Sequence, residues 1–139
     1  MIERGQISLE YLIVVGFVMF AVIVLLGVSL FYTHSVQDQI KVSQLSTFAN
    51  KIVSSAESVY YAGEPSKITI TAFLQQGVQS FQVVSNSLVF TFVTSSGTST
   101  IAFESKVPLD GSFTLSSLNE GVRRLTITAG SDRVYIANG

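Results

Sequence analysis

Side chains that could carry out catalysis or bind a metal are few and widely spaced in this sequence. The 139 residues include one histidine, His34, and no cysteine, which removes disulfides, thiolate metal sites and cysteine nucleophiles together. Asp110 and Asp132 lie in turn-like segments, where aspartate is expected for its local hydrogen bonds. Together with Asp38 they lack the spacing of a cation-binding loop. We therefore predict that the chain is not an enzyme and uses neither cofactor nor metal.

The remaining polar candidates also favour structural explanations. His34 follows a long apolar segment, where an interfacial polar residue is expected more often than a metal ligand or proton carrier. Arg123 and Arg124 follow a turn, a position that favours an exposed edge strand over an anion site. The formal net charge of −1 gives no electrostatic footprint for nucleic acid, so we expect none as a partner.

The element that dominates the sequence is an apolar segment near the N-terminus. No charged residue occurs from Tyr11 to Tyr32, and a helix of about 22 residues spans about 33 Å, enough to cross a membrane core of about 30 Å. A chain this small could not bury a helix that is apolar on every side. We predict a membrane span. Because Arg4 precedes it and the next positive charge is Lys41, the N-terminus should be cytoplasmic and the rest outside.

A short motif lies directly before this span. Its sequence is Arg-Gly-Gln-Ile-Ser-Leu-Glu-Tyr-Leu over residues 4–12. The stretch resembles the class III signal sequence of archaeal type IV pilin-like proteins, in which a charged leader ending in Gly is followed by Gln-x-Ser-x-Glu and a long apolar helix. Gly5 would end the leader, and Gln6, Ser8 and Glu10 would form the motif. The resemblance implies that residues 1–5 are removed by a prepilin-type membrane aspartic peptidase, which cuts between Gly5 and Gln6.

The same resemblance implies further partners and one contact between subunits. A pilin is polymerised with identical subunits by an assembly ATPase and a membrane platform, after storage in lipid. Glu10, the fifth residue after the cut, would pair with the new N-terminal amine of Gln6 from a neighbouring subunit. A carboxylate at this depth is costly unless it is paired, so such a role is chemically sensible.

The helical pattern continues beyond the span. Apolar residues recur at three- and four-residue spacing, as one buried stripe requires: Leu45, Phe48, Ala49, Ile52, Val53, Ala56, Val59 and Tyr60. Gly63 is a suitable C-terminal stop, and Pro65 follows two residues later. We predict one helix from near Ile7 to near Ala62, within a mature segment 6–62 whose part 11–32 is wholly apolar and whose part 33–62 is amphipathic.

Two glycines lie within the apolar part. Gly16 and Gly27 are eleven positions apart, which places them on nearly the same helix face. They could allow close helix packing in an assembly. Glycine is also commonly tolerated in membrane helices and allows local unwinding, and the sequence does not choose among these three possibilities.

After Pro65 the apolar period changes from 3.6 to 2, as strands require. Apolar residues alternate in the runs 68–74, 88–93, 101–103, 113–115, 125–129 and 134–136, with turn signals between them such as Gln76-Gly77, Ser95-Ser96-Gly97 and Asp110-Gly111. We predict an α+β chain in which the long helix precedes an antiparallel β-sandwich or small barrel of six to eight strands over residues 66–139. This β-rich globular domain should cover the amphipathic part of the helix.

These observations lead to one expected function and two alternatives. We expect a pilin, the structural subunit of an extracellular archaeal filament used for adhesion, with a membrane-anchored precursor. One alternative is a monomeric, membrane-tethered module whose β-domain binds a ligand or surface. A third possibility is an archaellin, the subunit of a rotating filament, but the Gln-x-Ser-x-Glu motif argues against it.

Overall fold

A computed structural model describes residues 2–116 and 119–139. One helix, α1, spans Ile2–Ala62. Seven strands follow it: β1 Lys67–Leu74, β2 Val78–Val84, β3 Ser87–Thr94, β4 Gly97–Glu104, β5 Thr114–Ser116, β6 Gly121–Ala129 and β7 Val134–Asn138. The predicted α+β class is confirmed. The strands form two open antiparallel sheets, so the barrel alternative is wrong.

Helix α1 ends where the sequence predicts and begins earlier than expected. At its C-terminus Gly63 has a φ of 79°, and its N–H donates to the carbonyl of Val59 at 3.1 Å, an arrangement that favours glycine. The helix already includes Ile2 rather than beginning near Ile7. No proline precedes Pro65, and Gly5 alone disfavours a helix by only about 1 kcal/mol. Met1, the start of the predicted leader, lies outside the described residues.

The chain divides into two compact units, residues 1–37 and residues 38–139. In the first unit, all the described residues, 2–37, are helical. From residue 5 to residue 37 every side chain is exposed except that of Ala21, which is half-buried. The second unit contains the rest of α1 and all seven strands, and we call it the head. The boundary falls inside the helix because the part of α1 that includes Leu45 to Val59 contributes side chains to the core of the head, whereas residues 5–37 do not.

The head contains a three-stranded sheet with order β1-β6-β7 and a four-stranded sheet with order β4-β3-β2-β5. The segment after β4 connects them. Leu109 forms a parallel bridge with Val134 of β7, and the N–H of Asp110 donates to the Val134 carbonyl at 2.9 Å. Further along, the carbonyl of Phe113 accepts from the N–H of Val83 in β2 at 3.1 Å. One edge of each sheet is therefore held by the same connecting segment.

A single hydrophobic core is shared by the helix and both sheets. Six positions of the predicted helical stripe are buried, and Val53 and Tyr60 pack against the core half-buried. The Phe48 ring lies edge-on to Phe81 and Phe90 at centroid distances of 6.2 and 5.9 Å, in the favoured T-shaped geometry. The predicted amphipathic stripe is confirmed, and the head covers it.

Two details of the sheets differ from the sequence pattern. Strand β2 is not among the predicted alternating runs, because an irregularity between Val78 and Ser80 interrupts its period. Arg123 and Arg124 lie on β6, the central strand of its sheet, so the expected edge position is wrong. An antiparallel sheet needs only one buried face, and Arg124 is exposed on the other face.

Candidate functional site

The most unusual surface of this chain is the apolar part of the helix, residues 11–32. Large side chains are exposed on every side of it; Phe17 is 71% exposed and Phe31 is 79% exposed. Within the helix Gly5–Ala62, the most apolar stretch reaches a mean hydropathy of 3.0, and none of that stretch is buried. By length and composition this helix could cross a membrane. We call residues 11–32 the apolar surface.

The residues of the apolar surface form a helix because nothing interrupts their local bonding. They include leucine, methionine and alanine, which favour helices, among valine, isoleucine and phenylalanine, which do so more weakly. The backbone polar groups of a helix pair with each other, so this segment can be placed in lipid without unpaired donors or acceptors. The large apolar side chains, in contrast, are not buried against any of the described residues of the chain.

All residues of the predicted signal motif lie on this helix. Gly5, Gln6, Ser8 and Glu10 are exposed, so each is accessible on the helix surface. Gln6 and Glu10 are four residues apart and therefore lie on one face, about one turn from each other. The bond between Gly5 and Gln6 is part of the second helical turn. A peptidase that cuts there would act on a helix end, where the backbone opens most easily.

Glu10 is the acidic residue nearest to the apolar surface. Among the described side chains, those of residues 5–115 and 119–139, none forms an ion pair or hydrogen bond with its carboxylate. Its exposure leaves the carboxylate available to a group outside the chain. The arrangement is compatible with the implied contact to a neighbouring N-terminal amine, which stays a prediction.

Gly16 and Gly27 pack against none of the described residues outside their own stretch of helix. A Cβ atom added at either position would meet no heavy atom within 4 Å beyond the local helix. Eleven residues correspond to about three helical turns, so both glycines mark one strip of the apolar surface. Any close approach that requires glycine there must come from another molecule.

Two polar side chains at the start of the head attach the helix to the β3–β4 hairpin. The carboxylate of Asp38 accepts hydrogen bonds from the N–H of Ser95, at 3.3 and 3.2 Å from its two oxygens, and from the Ser95 hydroxyl. The ammonium of Lys41 donates to the carbonyl of Val93 at 3.2 Å. Asp38 and Ser95 are 57 positions apart in the chain. Asp38 therefore has a positioning role in the head.

The other candidates for chemistry do not converge. His34 is exposed on the helix. Asp110 accepts a hydrogen bond from the Ser112 hydroxyl and lies 3.8 Å from the Arg133 guanidinium, while Asp132 is exposed. Arg123 donates to the carbonyl of Asn119 at 3.1 Å. In the part of the chain that the structure describes, no three His, Asp or Glu side chains are grouped to hold a metal ion.

Comparison of this chain with protein-family models, with curated proteins and with solved structures found no match in any of the three.

Proposed function

We propose that this protein is a pilin, made as a membrane-anchored precursor and polymerised into an extracellular filament through the apolar surface. One observation supports the proposal above all: in one part of a single continuous helix an apolar stripe is buried against the two sheets, and in the other part the apolar side chains are exposed. Burying apolar area is favourable by about 25 cal/mol per Å². A bare surface of this size therefore requires another apolar environment.

Lipid can supply that environment before assembly, and other copies of the same chain can supply it in a filament. Before assembly the membrane surrounds residues 11–32, which have the length of a span. In a filament, the same residues of neighbouring copies surround each other and exclude water without any covalent link. Moving about 22 apolar residues out of lipid is unfavourable unless the new environment is equally apolar. Packing between copies would meet this requirement, and an assembly ATPase with its membrane platform would perform the work.

The motif residues fit the processing step of this proposal. Removal of residues 1–5 between Gly5 and Gln6 leaves the apolar surface intact, because the cut lies before it in the chain. The exposed carboxylate of Glu10 then pairs with the new amine at Gln6 of another copy. Within a filament both charges leave water, and such a pair requires good geometry to offset its desolvation. The contact would thus set the register between copies.

The decisive experiment uses fibres sheared from the cell surface. Electron microscopy should show filaments, and mass spectrometry of their N-terminal peptides should find chains that begin at Gln6. The variant Gly5→Val should stay uncut and remain in the membrane fraction, whereas Ile7→Val, a matched change beyond the cut, should assemble normally. If the chain is never found in fibres and stays in membranes as single copies, a tethered binding module would replace the pilin.

A second variant isolates the charge pair. We expect Glu10→Gln to be cut normally and yet to assemble poorly, because the amide keeps the shape of the side chain and loses its charge. The ratio of filament to membrane-retained protein measures the effect. Normal filaments from this variant would remove Glu10 from the assembly mechanism and leave the role of the apolar surface unaffected.

A further inference from the structure

Each sheet of the head ends in one long strand with a free edge. These are β1 and β4, and both are eight residues long. The opposite edges differ: β7 is bridged by Leu109, and β5 has three residues in the part of the chain that the structure describes. A long free edge presents unpaired backbone groups that another strand can bind.

Alternate residues of β1 direct their backbone groups away from β6. Ser66, just before the strand, accepts a hydrogen bond from the N–H of Ala129, which fixes the even-numbered positions as those that face β6. Lys67, Thr69, Thr71 and Phe73 therefore present their N–H and C=O groups at the free edge. Among the described residues, the Thr71 carbonyl alone of these groups has a partner, the ammonium of Lys51.

The free backbone groups of β4 are those directed away from β3. Ser105 donates its N–H to the carbonyl of Asn86, so odd-numbered positions face β3. Four residues therefore present their backbone at the free edge of this strand: Thr98, Thr100, Ala102 and Glu104. All four side chains are exposed, as are those of the four corresponding residues on β1. In both strands, the residues with free backbone groups lie on the outer face of the sheet.

The second half of the β1 edge is accessible from the side. An open groove lies between this part of the strand and the helix residues Gln44, Thr47 and Lys51. The Thr71 carbonyl has two lone pairs, so it can accept from an incoming strand while Lys51 remains in place. The edge is thus available to a strand that does not come from the same chain.

We infer that β1 of one copy pairs antiparallel with β4 of a second copy. One register opposes all the free groups at once: Lys67 to Glu104, Thr69 to Ala102, Thr71 to Thr100 and Phe73 to Thr98. Both strands are used over their full length, and opposite charges meet at one end. The core-facing residues Ile70 and Ile101 are also brought opposite each other. A shift by one residue would oppose free groups to groups already paired.

The other end of this register joins exposed apolar side chains. Phe73 is 51% exposed, and its neighbour across β1 and β6, Val122, is 68% exposed. On the second copy, Thr98 lies beside Val93, which is 39% exposed. The paired sheets would place these four side chains in one row and cover part of their apolar surface. Charge complementarity and apolar contact thus support the same register.

Pairing of like edges is less complementary. Two β4 strands would place Thr98 opposite Glu104 at both ends, and two β1 strands would place Lys67 opposite Phe73. Neither arrangement forms an ion pair or joins the apolar residues. The pairing of β1 with β4 uses two different surfaces, so each copy keeps one free edge and the contact can propagate through a row of heads.

The absence of cysteine allows a direct test by cross-linking. Full-length Thr71→Cys and Thr100→Cys, each with a different tag, are mixed in detergent micelles and oxidised mildly. Paired positions lie about 5.5 Å apart at Cα, within the range that a disulfide can span. We expect a dimer containing both tags. The double variant, which carries both cysteines in one chain, should give a ladder of longer oligomers.

The matched control uses the same strands and the same substitution. Thr69→Cys mixed with Thr98→Cys places the thiols four residues out of register, about 13 Å apart along the strands, and should give at least tenfold less of the mixed dimer. Equal yields from the two mixtures would indicate random collision and overturn the inference. A mixture of Thr100→Cys with Ala102→Cys tests pairing between two β4 strands. A higher yield from this mixture than from Thr71→Cys with Thr100→Cys would establish β4–β4 pairing and overturn the inference.

A charge exchange tests the register independently. Lys67→Glu and Glu104→Lys should each lower the yield of the Thr71–Thr100 cross-link by up to about fivefold, as expected for an exposed ion pair. The two changes combined in every chain should restore it, because the opposite charges meet again. Unchanged yields in all three would refute this register. Filament formation by the apolar surface involves other residues, so either proposal can fail while the other stands.

Discussion

The two units of this molecule use the same helix in opposite ways. In the head, the helix buries one stripe against two sheets, and Ala49, Ile52 and Ala56 are fully buried. In residues 5–37 the side chains are exposed all around, and no core forms. The head is therefore stabilised from within, whereas the first unit depends on whatever surrounds it. Substitutions in the two parts should then have separable effects on folding and on location.

The largest effect is expected from Phe48→Ala. This ring lies in the centre of the head and contacts two other phenylalanines, so its loss should lower the free energy of unfolding by about 3–5 kcal/mol. Urea unfolding of the full chain in micelles, followed by near-ultraviolet circular dichroism of Tyr and Phe, measures this. Phe73→Ala, at a half-exposed ring, should change the unfolding free energy by much less. Loss of membrane anchoring in Phe48→Ala would contradict the separation of the units.

The converse variant is Val22→Asp, in the middle of the apolar surface. A carboxylate at the centre of a span disfavours insertion by about 2.5–3.5 kcal/mol. We expect less protein in the membrane fraction and no filaments, with an unchanged unfolding curve for the head. Ser43→Asp, on the exposed side of the helix within the head, serves as the control and should retain both properties. A changed unfolding curve for Val22→Asp would show that the stability of the head depends on the first unit.

A smaller effect is expected from Asp38→Ala at the start of the head. Its hydrogen bonds to Ser95 are solvent-accessible, so their loss should lower stability by about 1 kcal/mol. Hydrogen exchange should accelerate at the Ser95 amide before it does so in the central strands. Asp38→Asn, which keeps an acceptor oxygen without the charge, should lie between the wild type and the alanine variant. Unaltered exchange at Ser95 would mean that Asp38 does not hold the hairpin.

The smallest effect on a single chain is expected from Gly16→Ala and Gly27→Ala. Neither added methyl group meets a neighbour within 4 Å, and alanine favours a helix over glycine by about 1 kcal/mol. The helix of the unassembled chain should therefore be retained or slightly stabilised, while filaments should dissociate at a lower temperature if the glycines allow close packing. Ser29→Ala, about 220° around the axis from Gly16, is the control. Equal filament stability in all three variants would leave the glycines as tolerated residues only.

Local periodicity was sufficient to predict most of the elements. The helical stripe from Leu45 to Tyr60 and the stop at Gly63 match the structure, because each depends on residues close together in the chain. Strand β2 was missed because its irregularity separates Val78 from Phe81 by three positions rather than two. The earlier helix start reflects the absence of any strong stop signal between Ile2 and Ile7.

Features that depend on distant residues could not be predicted. The Asp38–Ser95 attachment joins positions 57 apart, and neither residue type signals its partner. The position of β6 between β1 and β7 is one such feature. The alternation of Arg124 and Leu125 indicates which face of the strand is buried, and it does not indicate which strands lie on either side. The choice of two open sheets over a barrel also involves the connecting segment after β4. Its Val107 and Leu109 are buried at alternate positions as in a strand, yet the segment forms only one isolated bridge, at Leu109.

The attachment at the start of the head also bears on mechanics. Tension applied along the helix from residues 5–37 reaches Asp38 and then Lys41 before it reaches the buried stripe that begins at Leu45. Both polar side chains are tied to the β3–β4 hairpin, at Ser95 and Val93. A pulling force on the helix would thus be passed in part to the tip of one hairpin, through contacts that precede the buried stripe along the chain.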